Sequence, residues 1–180
     1  MMKKILLLGG SGFVGRHVCA ALARQGHSVT ILTRRRTSAR ELQVWPTVTV
    51  HEIDVMRDAS WSVWVRGHDA VVNLIAVLHG DEGHFERVHV QWPQRVAQAC
   101  LQHGGCDLIH ISALGADPQG PSMYLRSKGR GEQALQQVAL DGGMNLTLIR
   151  PSVIFGKDDR FINLFARLQK WTPFVPLAGA

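Results

Sequence analysis

The chain has 180 residues, of which 46% are apolar and 19% charged, and it carries a formal net charge of +6. That length makes one ordinary domain with a sizeable core, and that composition excludes a disordered chain. No apolar run approaches the ~20 residues needed to cross a bilayer, which excludes a membrane-spanning helix. The basic excess invites a nucleic-acid reading until its position is considered. Residues 1–40 hold Lys3, Lys4, Arg16, Arg24, Arg34, Arg35, Arg36 and Arg40 and no acid, whereas residues 41–180 hold the other 12 of the 20 bases and all 14 acids. The excess therefore belongs to the first 40 residues, and the question is which anion they meet.

In chain order, Met1–Leu8 opens like a signal peptide, but its apolar run breaks at Gly9-Gly10-Ser11-Gly12, too soon for a secretory core segment. Strand candidates are Lys4–Leu8, Ser28–Thr33, Thr47–Ile53, Ala70–Ala76, Leu108–Ser112 and Leu146–Arg150. They are rich in Val, Ile and Leu without polar alternation, as in strands buried on both faces of a parallel sheet. Between them run helical patterns. Val14, Val18 and Leu22 mark one face of 13–25, and Val88, Trp92, Val96, Ala99 and Cys100 mark one face of 84–103. Residues 123–140 and 160–171 read the same way, while 34–46 shows no periodic face. Strand–helix alternation repeated six times predicts an α/β fold, a doubly wound parallel sheet of the Rossmann type. Its expected extent is 1–156, with 157–180 opening a further region that the chain does not complete. Three cysteines, Cys19, Cys100 and Cys106, lack zinc or CxxC spacing and fit a reducing, cytoplasmic setting.

The first strand is followed by Gly9-Gly10-Ser11-Gly12-Phe13-Val14-Gly15, a GxxGxxG turn that opens the first helix. Gly9 permits the sharp turn, Gly12 lets a pyrophosphate approach the backbone, and Gly15 lets the helix pack close to the sheet. The helix N-terminus offers free N–H groups and the positive end of its dipole to the phosphates. The second strand ends at Thr33, where an NAD-binding fold would place a carboxylate on the adenosine ribose; Arg34-Arg35-Arg36 follow instead. A guanidinium binds a 2′-phosphate that a carboxylate would repel, so Arg34 and Arg35 predict NADP(H) in preference to NAD(H). Asp54, with Val55 beside it, stands where a side chain meets the adenine amino group, or is simply a helix cap. Asn73-Leu74-Ile75-Ala76 ends the fourth strand, where backbone can pass beneath a cofactor.

Tyr124-Leu125-Arg126-Ser127-Lys128 places a phenol and an ammonium four residues apart, on one face of a helix. A neighbouring ammonium favours the phenolate and lowers the phenol pKa, and a phenol so tuned exchanges a proton with a carbinol oxygen. Ser112, closing the fifth strand, is placed to hydrogen-bond that oxygen.

With these motifs the sequence resembles the short-chain dehydrogenase/reductase superfamily, in its extended or atypical branch of nucleotide-sugar epimerases and dehydratases. Arg150-Pro151-Ser152-Val153-Ile154-Phe155-Gly156 is similar to the RPxxVYG segment of that branch. Ser112-Ala113-Leu114-Gly115-Ala116, Tyr124–Gly129, Pro151–Gly156 and Asp159-Arg160-Phe161 are similar to the subgroup containing the nucleotide-binding accessory subunit of respiratory complex I. The resemblance implies Tyr124 as acid/base, Lys128 on the nicotinamide ribose, Ser112 orienting a small-molecule substrate, and Pro151, Ser152 and Val153 near the nicotinamide. It further implies a C-terminal substrate region, and either a homodimer or a respiratory-complex partner. Two readings follow: an NADP(H)-dependent oxidoreductase or epimerase, and a non-catalytic nucleotide-binding accessory protein.

Other features are weaker. His79, His84 and His89 do not share a helix face, so no metal site is expected. The basic amphipathic stretch 160–171 suits packing against the fold or a peripheral membrane surface. The tryptophans are not interleaved with basic residues, so no nucleic acid is expected as a partner.

Overall fold

The computed structural model describes residues 1–156. The stretch 160–171 and the Asp159-Arg160-Phe161 motif lie outside the described residues.

The fold grows from β1 (Lys4–Leu8), whose leucines are fully buried on both faces. Leu6 and Leu8 enter one apolar cluster and Leu7 the other, as the period-two alternation of a central strand requires. Around it lie β2 (Ser28–Thr33), β3 (Val48–Glu52), β4 (Ala70–Asn73), β5 (Asp107–Ile111) and β6 (Leu146–Ile149). All pairings are parallel and the spatial order is β3-β2-β1-β4-β5-β6. This is the doubly wound order in which the chain reverses direction between β1 and β4, leaving a crevice at their C-terminal ends.

One face is covered by α1 (Phe13–Arg24) and by 3-10 turns over Arg36–Val44, which break at Ala39. The residues α1 buries are Gly15, Cys19 and Ala23, one position along from the expected Val14, Val18 and Leu22. Val18 and Leu22 pack at the margin of that cluster instead. The reason is proximity: a methyl on Gly15 would collide with the Gly9 carbonyl, so only small residues fit beneath the helix.

The other face carries α2 (Glu82–Phe85), a π-helical turn over Glu86–Gln91, α3 (Trp92–Gln102) and α4 (Met123–Gly142). The expected apolar face of 84–103 is buried as read: Val88, Trp92, Val96, Ala99 and Cys100 are each at most 4% exposed. The wide turn has a covalent cause. Pro93 has no N–H to return to the His89 carbonyl, so the regular ladder cannot pass that point. Gly131 of α4 presses against this freed carbonyl, and its missing side chain is what permits the approach. Ser122 caps α4, its Oγ accepting the Leu125 N–H at 3.1 Å, and Gly143 closes it in the left-handed conformation.

Gly131→Ala separates two opposed effects. Helix propensity alone predicts a gain of about 1 kcal/mol. The collision with the His89 carbonyl predicts a loss on the order of 1–3 kcal/mol, and we expect the loss, read as a lowered midpoint in chemical denaturation.

Candidate functional site

The glycine turn is a left-handed corner held by its own backbone. Gly9 sits at φ +85°, and its carbonyl accepts the Gly12 N–H at 3.0 Å. Gly12 is the N-cap of α1 without any side-chain cap, so the first N–H groups of that helix keep their donors for a ligand. Ser11 Oγ lies 3.0 Å from Thr33 Oγ1, and the Thr33 hydroxyl reaches the Arg35 carbonyl at 3.3 Å. Arg16 donates to the Ser11 carbonyl and to the Ser38 carbonyl, both at 3.2 Å. These bonds fasten the glycine turn to the basic segment after β2.

A cavity of about 650 Å³ opens along the C-terminal ends of β1 to β4. Of the sequence-derived cofactor residues, Gly9, Ser11, Gly12, Arg34, Asp54, Val55, Leu74, Ile75 and Ala76 line it together. Phe13, Val14, Gly15, Arg35, Asn73 and Pro151–Val153 are not in its lining. Asp54 faces the cavity, and its Oδ1 accepts the Met56 N–H at 3.1 Å within a turn; it is not a helix cap, since Asp58 caps the 3-10 turn that follows. The side chain of Asn73 is fully buried and engaged internally. Its Oδ1 accepts from Trp92 Nε1 at 3.1 Å and Ile75 N at 3.3 Å, and its amide nitrogen donates to His110 Nδ1 at 3.1 Å.

Ser112, Tyr124 and Lys128 lie outside that cavity lining, on β5's exit and on α4. Lys128 is 1% exposed, and its ammonium donates to the Ile111 carbonyl at 2.7 Å, directly before Ser112. Burial pulls its pKa down to about 8, opposed by the carboxylate of Glu132. Glu132 is itself buried and gripped by Arg150, whose Nε donates to its two oxygens at 2.9 and 3.1 Å. Ser112 Oγ is buried with no hydrogen-bond partner among the described residues. Tyr124 departs from the expectation drawn from spacing. Burial pushes its phenol pKa up, and the lysine is directed to a backbone carbonyl.

Pattern reading missed His89 and Ser127. His89, 1% exposed, accepts the Val77 N–H on Nε2 at 3.1 Å, so its proton sits on Nδ1 and is donated to Ser127 Oγ at 2.8 Å. Ser127 in turn donates to the Tyr124 carbonyl at 2.8 Å, and the two rings meet edge-on at 5.4 Å. Burial first, and then the Lys128 charge, hold His89 down at about 4, so it is neutral near pH 7. A single His and a single Ser make no motif, and nothing in the sequence joins them before the fold does.

A parallel sheet in this order, with a glycine turn after β1 and a crevice across β1 and β4, defines a Rossmann-type domain. The chain belongs to the NAD dependent epimerase/dehydratase family, whose pattern it matches over residues 5–172. It is 31% identical over 167 residues to the mitochondrial NADH-ubiquinone oxidoreductase 40 kDa subunit of Neurospora crassa, covering 91% of this chain and 44% of that protein. It is 35% identical over 178 residues to mitochondrial NADH dehydrogenase (ubiquinone) 1 alpha subcomplex subunit 9 of Mus musculus, covering 96% of this chain and 46% of that protein. The chain thus spans less than half the length of these curated relatives. Among solved structures, UDP-glucuronic acid 4-epimerase from Bacillus cereus in complex with NAD superposes with a TM-score of 0.79 at 21% identity, over 93% of this chain and 62% of that one. A UDP-galactose 4-epimerase superposes at 0.74 and 21% identity, over 96% of this chain and 64% of that one. These likenesses establish the shared fold.

Tyr124 is the chain's single tyrosine, so ultraviolet titration reads its phenol without interference. In the native protein ionisation is expected above the ordinary value of about 10, returning to it in denaturant. A native inflection at or below that value would show that burial does not govern this group.

Proposed function

We propose that this domain binds a nicotinamide dinucleotide across the C-terminal edge of β1 to β4, with NADP(H) preferred over NAD(H). The carrying observation is the cavity that gathers the glycine turn, Arg34 and Asp54 on one surface. The residues fit such a ligand. The turn presents uncapped helix N–H groups to phosphate, and Leu74–Ala76 forms the wall from the β4 side. Arg34 stands at the ribose end of β2, and the one carboxylate in the cavity lining among the described residues is Asp54, after β3. In register beside Thr33, the Glu52 carboxylate already accepts the Arg36 N–H at 2.8 Å.

On this reading the domain serves an oxidoreductase or epimerase of the short-chain type. When bound, the nicotinamide exchanges a hydride with a substrate carbon. Tyr124 holds or releases the proton at the neighbouring substrate oxygen, and burial keeps its phenol protonated until that oxygen arrives. Ser112 Oγ, buried and without a partner, donates to the same oxygen. Lys128 holds the end of β5 through the Ile111 carbonyl and turns to the nicotinamide ribose once the ligand is seated.

One observation favours a second reading, an accessory nucleotide-binding role in a respiratory NADH dehydrogenase. Lys128 is engaged with a backbone carbonyl and burial raises the Tyr124 phenol, so the pair lacks the mutual tuning that proton exchange calls for and a held nucleotide does not.

Titration with both cofactors tests the preference. NADPH is expected to bind tighter than NADH, and Arg34→Gln to remove most of that difference, on the order of tenfold for a lost charge-assisted contact. Tighter binding of NADH to the wild type would overturn it. Tyr124→Phe separates the two roles: nucleotide binding is retained, and any turnover on a carbonyl or nucleotide-sugar panel falls by at least about 100-fold. A tightly held nucleotide with no turnover in the wild type supports the accessory role.

A further inference from the structure

Ion pairing distinguishes the arginines that line the cavity from one another. Arg16 meets Glu41, Arg130 meets Glu86, Arg150 meets Glu132, and Arg57 meets Asp54 at 3.8 Å. Three arginines line the cavity: Arg34, Arg57 and Arg87. Arg57 is the one that Asp54 engages, whereas Arg34 and Arg87 have no acidic partner among the described residues. Of the acids close to Arg87 in sequence, Glu82 forms no ion pair with it among the described residues, and the other two have partners of their own. Glu86 is bound by Arg130 of α4 at 3.2 Å, and Asp81 Oδ1 caps α2 through the His84 N–H at 2.6 Å.

The two unpaired cations stand on opposite sides of the glycine turn. Arg34 follows β2, Arg87 lies on the helical stretch that follows β4, and β1, which feeds the turn, lies between β2 and β4. The cavity wall carrying Arg87 includes His84, Val88 and Val77, and among these it contributes the permanent charge. A dinucleotide carries its pyrophosphate over the glycine turn. A 2′-phosphate can occupy only one of the two cations, the one at the ribose end.

We propose that Arg87 is the side-chain counter-ion of the pyrophosphate, forming the second wall of an anion site whose first wall is the glycine turn and the N-terminus of α1. Arg34 reads the 2′-phosphate, and Arg87 reads the phosphates common to NADH and NADPH. This rests on the dinucleotide reading above, so the probes are chosen to split the two. ADP-ribose carries the pyrophosphate without a 2′-phosphate, and 2′-AMP carries the 2′-phosphate without a pyrophosphate.

Calorimetric titration of the purified protein with each probe gives the test. Arg87→Gln is expected to weaken ADP-ribose on the order of tenfold and to leave 2′-AMP as in the wild type. Arg34→Gln is expected to do the reverse, and NADH and NADPH should lose equally in Arg87→Gln. Arg87→Met, which keeps the aliphatic stem, serves as a second variant, with melting curves matching the wild type. Unchanged ADP-ribose binding in folded Arg87 variants overturns the assignment while leaving the dinucleotide reading intact. Equal weakening of both probes also overturns it, because it reports a general field and not a pyrophosphate contact. A wild type that binds neither probe sinks the dinucleotide reading and Arg87's role together.

Discussion

Backbone packed on backbone, with no side chain between, sets the geometry of the C-terminal edge of the sheet. At one end, Gly15 lets α1 rest against the Gly9 carbonyl, so the helix N-terminus lies next to the turn that leaves β1. At the other, Gly131 lets α4 rest on the His89 carbonyl, and Gly129 lets it rest on the backbone of Asp117 and Pro118. The first contact fixes the phosphate-facing donors, and the second fixes the helix that carries Tyr124 and Lys128. A single methyl at either place would move a whole helix, because close-packed interiors transmit such a displacement. The π-helical turn belongs to the same constraint: Pro93 withdraws a donor, a carbonyl is exposed, and a glycine of another helix covers it.

That constraint also explains what could be read from the sequence and what could not. Strands of Val, Ile and Leu are conspicuous, and β1 and β2 have the bounds expected of them. β4 stops at Asn73, three residues short of the expected end, because the Asn73 side chain bonds the Ile75 N–H and draws the chain out of the ladder. Large apolar residues mark a helix face well when the helix stands off from its neighbour, as along 84–103. They mislead when it lies close. In α1 the most deeply buried positions are Gly15, Cys19 and Ala23, small residues that a search for large apolar side chains passes over. The glycine turn was legible because its chemistry is local in sequence. The His89–Ser127–Tyr124 chain was not, because its first bond joins residues 38 apart in sequence through a single geometry.

Electrostatics around α4 follow from burial rather than from spacing. Four residues separate Tyr124 from Lys128, which suggests a mutually tuned pair, yet each is moved against its charged form by loss of water. The buried histidines respond in the same way. His110 is held down at about 3 and His89 at about 4, in both cases by burial first and by the Lys128 charge second. Neutral imidazoles remove two positive charges from the surroundings of Lys128. What remains is Glu132, shared between the Lys128 field and the guanidinium of Arg150.

Hydrogen bonds join the cavity wall to the helix that carries the phenol. Val77 belongs to the cavity wall, and its N–H is held by His89; His89 holds Ser127; Ser127 holds the Tyr124 carbonyl. Each link has one donor and one acceptor, and the tautomer is dictated at the Val77 end. One histidine therefore ties the backbone of the cavity wall to the turn of α4 that presents the phenol. Because His89 stays neutral near pH 7, the chain does not change its bonding pattern there. The link is held by position and not by protonation, and it lies beside the close approach of α4 to the His89 carbonyl that orders the rest of this edge.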